Sequence, residues 1–236
     1  MDTFLDSPSN TGSADDAEKS EPWIHKGFET LMRRWRNETF APEILPFDAQ
    51  TIEDYTEATE LVSEILHEDR MDAESQDGID PDFNIRCMDH ERVQYVMRDY
   101  LRLRLWKLQQ YPQHYLEADN IDVLSEAERV FLRAIWDAKK VFLQTRLLDA
   151  LPPAKQSLDD KIDLLEMVRR PNLNAHVYAR IKDDIPEIDV SSSASTQGTQ
   201  PSEPLRLING QTYLIRYSLV RKFLIDNELD DKIELV

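Results

Sequence analysis

Cysteine and histidine side chains most often bind metal ions or act as nucleophiles, and this chain has few of them. It contains one cysteine, Cys87, and five histidines, of which only His90 lies near Cys87. No two histidines are four residues apart, the spacing that would place them on one helix face. A metal site needs three or four converging ligands, so this pair indicates structural residues and no metal site.

Other patterns that signal catalysis are also missing. The sequence has no Gly-x-Ser-x-Gly nucleophile turn. Carboxylate pairs such as Asp159-Asp160 and Asp183-Asp184 arise by chance in an acid-rich chain. The five glycines are scattered, whereas a loop that cradles phosphate needs clustered glycines. We therefore predict a protein that is not an enzyme and uses no cofactor, with an unrecognised hydrolase left open as a third hypothesis.

Charge and composition narrow the classes of partner. The 236 residues include 46 acidic and 28 basic side chains, for a formal charge of −18. That charge argues against gripping a phosphate backbone alone, because counterion release needs Lys and Arg. It favours basic or mixed partner surfaces. The first residues show no signal-peptide pattern, and no apolar run reaches the length of a membrane span.

Four helical patterns occupy the first two thirds of the chain. Apolar residues at helical spacing predict a first helix through Trp35, a second after Thr51 as N-cap, and a third from about Asp89 to Tyr111. Residues 71–84 are predicted to form a polar loop. Ser125 and Glu128 predict a capping box for a fourth helix, which carries an apolar stripe and ends before residue 152. The members of that stripe are Phe131, Ala134, Ile135, Ala138, Val141 and Phe142.

The last third changes to a mixed pattern. Residues 157–171 predict a short connecting helix, 175–182 and 232–236 predict strands, and Asn209-Gly210 predicts a hairpin within 204–217. Residues 218–227 predict a helix capped by Ser218.

The predicted fold class is α+β, with an N-terminal α-helical bundle followed by a small β-rich domain. The bundle, the A domain, spans residues 22–153, and a connecting segment spans 154–171. The β-rich B domain spans 172–236 and contains a flexible loop at 191–203. Residues 1–21 predict a disordered acidic tail, in which Phe4 and Leu5 form either a docking motif or part of a plain solvated segment.

The third helix is apolar around an unusually wide arc, yet it carries four interleaved cations. These are Arg98, Arg102, Arg104 and Lys107. An unpaired buried charge is costly. The cations therefore either reach solvent or pair with this chain's own acids, or the helix lies at a subunit interface where Arg and aromatic residues are enriched. Nucleic-acid binding is a third interpretation, and the spacing does not separate the first two.

Three motifs, in order from about residue 28 to the end, resemble the Sld-five family of GINS subunits. GINS is a four-protein eukaryotic replication complex. The first motif is WRNETFAPEIL, carried by Trp35, Asn37, Glu38, Phe40, Ala41, Pro42, Glu43 and Leu45. The second is ERVQYVMRDYLRLRLWKLQ, carried by Glu91, Arg92, Tyr95, Val96, Tyr100, Leu101, Arg102, Arg104, Leu105 and Lys107. The third combines Pro171, Leu173, Val177 and Arg180 with Leu214, Ile215, Arg216, Tyr217 and the terminal apolar strand.

The resemblance implies a non-catalytic scaffold subunit of a heterotetramer with three Psf-type subunits. That tetramer joins the MCM ring and its Cdc-type cofactor in the replicative helicase, with contacts to replisome adaptors or polymerase made through the complex. ATP hydrolysis belongs to the ring, and the location is the nucleus. The alternative function is a single-stranded nucleic-acid-binding module using the Arg/Trp helix.

Two groups of residues are predicted to matter for this role. The subunit-interface candidates are Tyr100, Leu101, Arg102, Arg104, Leu105, Ile233, Leu235 and Val236, with the terminal strand docking the B domain. The structural signature is Trp35, Asn37, Glu38, Phe40 and Pro42. The signature stretch is expected to be an extended staple between the first two helices, with Trp35 and Phe40 filling the end of the bundle.

Overall fold

The computed structural model describes residues 23–75, 81–162, 165–188, 205–226 and 232–236. The predicted acidic tail at 1–21 and the predicted flexible loop at 191–203 lie outside these residues. The α-helices of the described part are α1 (Trp23–Phe40), α2 (Ala49–Ser75), α3 (Pro81–Gln110), α4 (Pro112–Leu116), α5 (Glu126–Arg146) and α6 (Tyr217–Ile225). The strands are β1 (Lys161–Ile162), β2 (Leu165–Glu166), β3 (His176–Ile181), β4 (Ile185–Ile188), β5 (Leu205–Leu207), β6 (Thr212–Arg216) and β7 (Ile233–Leu235). Short 3-10 segments cover Ala118–Val123, Leu148–Ala150 and Pro153–Lys155.

The helices α1 to α5 form the predicted N-terminal bundle. One apolar cluster joins the first three helices through Leu31, Tyr55, Val96 and Met97. A second cluster joins α3 to α5 through Leu108, Tyr115, Leu124 and Leu132. The predicted α+β class is therefore confirmed. None of the helices in the described ranges has a stretch long and apolar enough to cross a membrane.

The start of α2 differs from the sequence prediction. Thr51 lies inside the helix, and Asp48 takes the capping role instead. Its Oδ1 accepts a hydrogen bond from the Thr51 N–H at 3.2 Å, and its Oδ2 accepts one from the Thr51 hydroxyl at 2.9 Å. Both residue types are good N-caps, so composition alone did not separate them.

The polar loop predicted at 71–84 is mostly helical. The second helix continues to Ser75 and α3 begins at Pro81, so only 76–80 separate them, and those residues lie outside the described ranges. Proline suits the first turn of a helix because its missing N–H is not needed there. Asp82 adds a favourable charge near the positive end of the helix dipole.

The capping box of α5 is confirmed. The Ser125 hydroxyl accepts a hydrogen bond from the Glu128 N–H at 3.2 Å, and a Glu128 carboxylate oxygen accepts one from the Ser125 N–H at 2.9 Å. This reciprocal pair satisfies two N–H groups that would otherwise have no partner at the start of the helix.

The connecting helix predicted at 157–171 is wrong. Its central residues form β1 and β2, an antiparallel pair in which Lys161 lies opposite Glu166 and Ile162 opposite Leu165. A helix this short depends on tertiary packing rather than intrinsic propensity, and strand pairing replaces it here.

The B domain contains a three-stranded antiparallel sheet in the order β6-β3-β7 and a separate pair of β4 with β5. Alternate residues of β3 face the core: Val177, Ala179 and Ile181 are buried, and α6 covers them through Val220 and Leu224. Strand β4 was not predicted. The helix after β6 begins at Tyr217, and Ser218 makes no capping bond.

The predicted turn at Asn209-Gly210 is present, but the predicted hairpin is wrong. Gly210 has φ +80°, a conformation that glycine adopts without strain. The strand before the turn, β5, pairs with β4, and the strand after it, β6, pairs with β3. The turn therefore passes the chain from one sheet to the other.

Candidate interaction surfaces and the buried network that positions them

Arg104 of α3 lies at the centre of a buried charged network and has no exposed surface. Its Nε and Nη2 bind the two oxygens of Glu128 at 2.7 and 3.0 Å. Its Nη1 donates to Glu38 Oε2 at 3.1 Å and to the Leu45 carbonyl at 2.6 Å, and Nη2 also donates to the Val123 carbonyl at 3.2 Å. The five N–H donors of a guanidinium thus all have acceptors. The hydrogen bonds and charges of Glu128 and Glu38 outweigh burial and raise the Arg104 pKa.

Lys107, one turn further along α3, completes the network. Its Nζ donates to Glu38 Oε1 at 2.7 Å, to the Glu43 carbonyl at 2.8 Å and to the Glu38 carbonyl. Burial lowers the Lys107 pKa, while the charge and hydrogen bond of Glu38 oppose that shift. Arg104 and Lys107 therefore pair with this chain's own acids, the first of the two interpretations left open by the sequence.

Individual residues of the signature stretch contact either this network or the terminal strand. Glu38, which pairs with both Arg104 and Lys107, also accepts a hydrogen bond from the Leu45 N–H at 3.2 Å. Asn37 points the other way, and its Oδ1 accepts from the Leu235 N–H of β7 at 2.8 Å. The chain leaves α1 at Phe40 and runs without regular structure to the start of α2. Of the extended staple predicted for 37–45, residues 37–40 are wrong because they belong to α1, and residues 41–45 lie outside any helix or strand.

Glu43 links the staple to the B domain. Its Oε1 accepts hydrogen bonds from the Tyr217 hydroxyl at 2.9 Å and from Arg221 Nε at 2.5 Å, and its Oε2 accepts from Arg221 Nη2 at 3.1 Å. Ala41 and Leu45 belong to the same apolar cluster as the sheet core. Burial, together with the negative charge of Glu43, raises the Tyr217 pKa well above its usual range. The two domains thus share a continuous apolar and ionic contact.

The terminal strand supplies the other half of that contact. Glu234 of β7 is buried, with one carboxylate oxygen bound by Arg36 of α1 and the other by Lys182 Nζ at 3.0 Å. Burial favours the neutral carboxyl group, but the hydrogen bonds from Arg36 and Lys182 outweigh it and lower the Glu234 pKa.

This shift predicts a measurable pH dependence of stability. Because the folded-state pKa lies below the ordinary value of 4.5, the stabilisation is fully present above pH 4.5 and is lost as the pH falls through the lowered value. We expect Glu234→Gln to lower the free energy of unfolding at pH 7 and to flatten its decline between pH 5 and pH 3. Urea denaturation at several pH values measures both. An unchanged slope in the variant would contradict the assignment.

The interface candidates predicted from the sequence lie in three environments. Tyr100, Arg104, Ile233 and Leu235 are buried within this chain. Burial raises the pKa of Tyr100 to about 12, with the charge of Arg104 opposing that shift. Leu101 and Leu105 are half-buried, and Arg102 and Val236 are exposed. Contact with another subunit stays a prediction for these four.

The signature residues are also divided by the structure. Asn37 and Glu38 are buried, and Trp35 and Pro42 are half-buried. Phe40 is 47% exposed, so its predicted place in the end of the bundle is wrong. It is the last residue of α1, where the chain turns towards the B domain, and its side chain remains on the outside. Trp35 instead packs beside the α1–α3 cluster, and its indole N–H donates to Asp99 Oδ2 at 2.7 Å.

An exposed row of residues, which we call the α3 seam, runs along the third helix. Its members are Ile85, Met88, Arg92, Tyr95, Arg102 and Trp106. Their spacing of three, four or seven residues places them on one face of the helix over about 32 Å. Ile85 and Met88 were missed in the sequence because the helix was predicted to begin at Asp89, although their apolar spacing continues the same row.

A second exposed row, the α5 stripe, lies on the fifth helix. It comprises Val130, Ala134, Ala138, Val141 and Phe142. Four of these belong to the stripe predicted from the sequence, whose members Phe131 and Ile135 are half-buried. The small Ala134 and Ala138 at its centre would let another helix approach closely. Among the described residues, no group of three or more His, Cys, Asp or Glu side chains is placed to hold a metal ion.

Comparisons with known proteins point to one family. Residues 57–143 match the family model of the GINS complex protein helical bundle domain, and residues 171–236 match that of the DNA replication complex GINS protein SLD5 C-terminus. The chain is 36% identical to the DNA replication complex GINS protein SLD5 of Arabidopsis thaliana over 210 residues, which cover 86% of this chain and 89% of the relative. It is 32% identical to the Mus musculus protein of that name and 29% identical to the Homo sapiens one, in both cases over 198 residues covering 81% of this chain and 82% of the relative.

Proposed function

This chain belongs to the SLD5 family of GINS proteins, and we propose on that basis that it acts as a non-catalytic scaffold subunit in nuclear DNA replication. Its partners in this proposal are three Psf-type subunits, with which it forms a heterotetramer. The tetramer in turn joins the MCM ring and its Cdc-type cofactor in the replicative helicase. Binding alone constitutes the activity of the chain.

The α3 seam is the observation that carries the proposal. Tyr95 and Trp106 leave more than half of their side chains exposed in the single chain, as do Ile85 and Met88. Contiguous exposed apolar residues mark sites of protein interaction. Aromatic residues and arginine are also the types most enriched at such sites, and the seam offers Arg92 and Arg102 beside its aromatic side chains.

The buried network supports the same role by making the scaffold rigid. The helix that bears the seam is held on its buried side by Arg104 and Lys107, which bind Glu38, Glu43 and Glu128. A seam held by such contacts loses little conformational freedom when a partner binds, which favours affinity. Since Glu43 also binds Tyr217 and Arg221, the B domain is presented at a set orientation to the seam.

Assembly is the direct test of the proposal. We expect co-expression with the three Psf-type subunits of the same organism to give a particle of one copy each, measured by light scattering with native mass spectrometry. Tyr95→Ser combined with Arg102→Glu should weaken assembly at least about tenfold, because it removes an aromatic contact and reverses a charge on the seam. Glu57→Ser, an exposed change on α2, is the control. A stable monomer that ignores these subunits, or an intact tetramer from the seam variant, would contradict the proposal.

The exposed combination of Trp106 with Arg92 and Arg102 favours a second candidate, a single-stranded nucleic-acid-binding surface. Bases stack on aromatic side chains, and arginines contact the backbone. This function predicts that fluorescence anisotropy of labelled single-stranded DNA rises with the isolated chain and that the affinity falls steeply with salt. Absence of binding at low salt would exclude this candidate function.

A further inference from the structure

The outer face of the three-stranded sheet carries a row of exposed apolar side chains, although Glu234 on the same face is buried and bound by Arg36 of α1. Tyr178 of β3 and Leu214 of β6 are direct partners across the two strands, and each is 57% exposed. Val236 follows β7, its N–H donates to the Tyr178 carbonyl at 3.0 Å, and its side chain is 36% exposed. We call these three residues the sheet ridge. The alternation of β3 turns Val177 and Ala179 to the core and leaves the ridge on the opposite side.

Basic residues flank the ridge on the same face. Arg180 is the register partner of Thr212 and Glu234, and Arg216 is the partner of His176. Arg180 and Lys182 are exposed, Arg216 is half-buried, and Glu234 is the one acidic residue in β3, β6 and β7. That carboxylate is already bound by Arg36 and Lys182. The net charge of the side chains around the ridge is therefore positive, whereas the whole chain has a formal charge of −18.

The spacing of the ridge selects the conformation of a ligand. Neighbouring strands lie about 4.8 Å apart, so three residues on adjacent strands span about 10 Å. Side chains at i, i+4 and i+7 of a helix rise over about 10 Å along one face, which matches that span. Side chains on one face of an extended segment are about 6.6 Å apart, a poorer match. A helix lying across the strands can therefore contact all three ridge residues.

From the exposed ridge, its spacing and its basic flanks, we propose that the outer face of the B-domain sheet binds an acidic amphipathic helix of another protein. Apolar side chains of that helix contact Tyr178, Leu214 and Val236. Its acidic residues lie against Arg180, the exposed cation beside the ridge. The ridge is built from β3, β6 and the chain end, whereas the α3 seam and the α5 stripe belong to the bundle. The proposal does not depend on which subunits those two rows contact.

A synthetic probe tests the proposal without knowledge of the natural ligand. The probe is a fluorescein-labelled peptide of about 20 residues, long enough to form a helix, with leucine at i, i+4 and i+7 and glutamate at the flanking positions. A counterpart carries lysine in place of each glutamate. Fluorescence anisotropy is measured with the full-length chain and with the assembled complex. We expect the glutamate peptide to bind both and the lysine peptide to bind at least about tenfold more weakly.

Two variants and a control locate the site. Leu214→Ser should weaken binding of the glutamate peptide about tenfold, and Arg180→Glu should weaken it while strengthening binding of the lysine peptide. Leu61→Ser on α2 is the matched control, because Leu61 is also 57% exposed, and it should leave the affinity unchanged. Thermal midpoints from circular dichroism confirm that each variant is folded.

Each remaining outcome would overturn the proposal. Equal binding of the two peptides would show that charge does not select the ligand, and an unchanged affinity for Leu214→Ser would place the site elsewhere. Binding to the full-length chain that disappears in the assembled complex would assign the face to a subunit contact. If removal of residues 1–22 strengthened binding about tenfold, the chain's own acidic segment would be the occupant instead of another protein.

Discussion

Replacing Arg104 with alanine should lower the free energy of unfolding by about 3–5 kcal/mol, the range found when one partner of a buried ion pair is removed. The guanidinium has no exposed surface and binds two carboxylates, those of Glu38 and Glu128. Without it, both acids remain in the interior, with Lys107 as the nearest compensating charge for Glu38 alone. The Leu45 and Val123 carbonyls lose a donor as well. Urea denaturation followed by far-ultraviolet circular dichroism measures the loss.

The neighbouring helix position provides a matched control for this prediction. Arg102 is the same residue type two positions earlier on α3, but its side chain is exposed. Arg102→Ala should change stability by no more than about 0.5 kcal/mol. If both variants lost the same amount, general helix propensity rather than the buried network would explain the effect.

A double-mutant cycle separates the ion pair from the cavity that alanine leaves. Glu128→Ala removes one of the two acids that Arg104 compensates, although it also removes a capping bond of α5. The double variant should therefore cost less than the sum of the two single variants by at least about 1 kcal/mol. Additive losses would mean that Arg104 and Glu128 do not stabilise each other in the folded chain.

The features that followed from the sequence are those encoded by local spacing. The capping box of Ser125 and Glu128 needs residues three positions apart, and the structure confirms it. The alternation of β3 likewise places Val177, Ala179 and Ile181 in the core. In both cases the physical cause acts within one turn or one strand, so adjacent residues carry enough information.

The features that the sequence did not predict depend on contacts between residues that are far apart in the chain. Arg104 binds Glu38, 66 positions away, and nothing in the helix sequence distinguishes it from the exposed Arg102. The hairpin predicted at Asn209-Gly210 failed for the same reason. The turn is set by local residues, but β5 pairs with β4, a strand further back in the chain, instead of with β6 after the turn.

The family motifs fall in places where many such distant contacts converge. Asn37, Glu38 and Glu43 point to three different elements, β7, α3 and α6 respectively, from a stretch of seven residues. A change at any one of them removes a contact between segments that are distant in the sequence. The unusual mixture of polar and apolar residues in this stretch is the consequence of packing between two domains.

Trp35→Ala and Phe40→Ala should separate the two aromatic residues of that stretch. Trp35 packs beside the apolar cluster of the first three helices and donates its indole N–H to Asp99 Oδ2 at 2.7 Å, so its removal leaves a cavity and an acceptor without its donor. We expect a loss of about 3 kcal/mol, the lower end of the range for buried aromatic residues, because the side chain is only half-buried.

Phe40→Ala should cost less than about 1 kcal/mol, because 47% of the side chain already contacts solvent. Trp106→Ala is the matched tryptophan control: its side chain is 56% exposed on the α3 seam, so the variant should unfold like the unmodified chain and yet assemble poorly with the Psf-type subunits. Urea denaturation of all three variants, together with light scattering of the co-expressed complexes, measures these effects. Equal stability losses for Trp35→Ala and Trp106→Ala would mean that burial in the single chain does not determine which tryptophan stabilises the fold and which binds a partner.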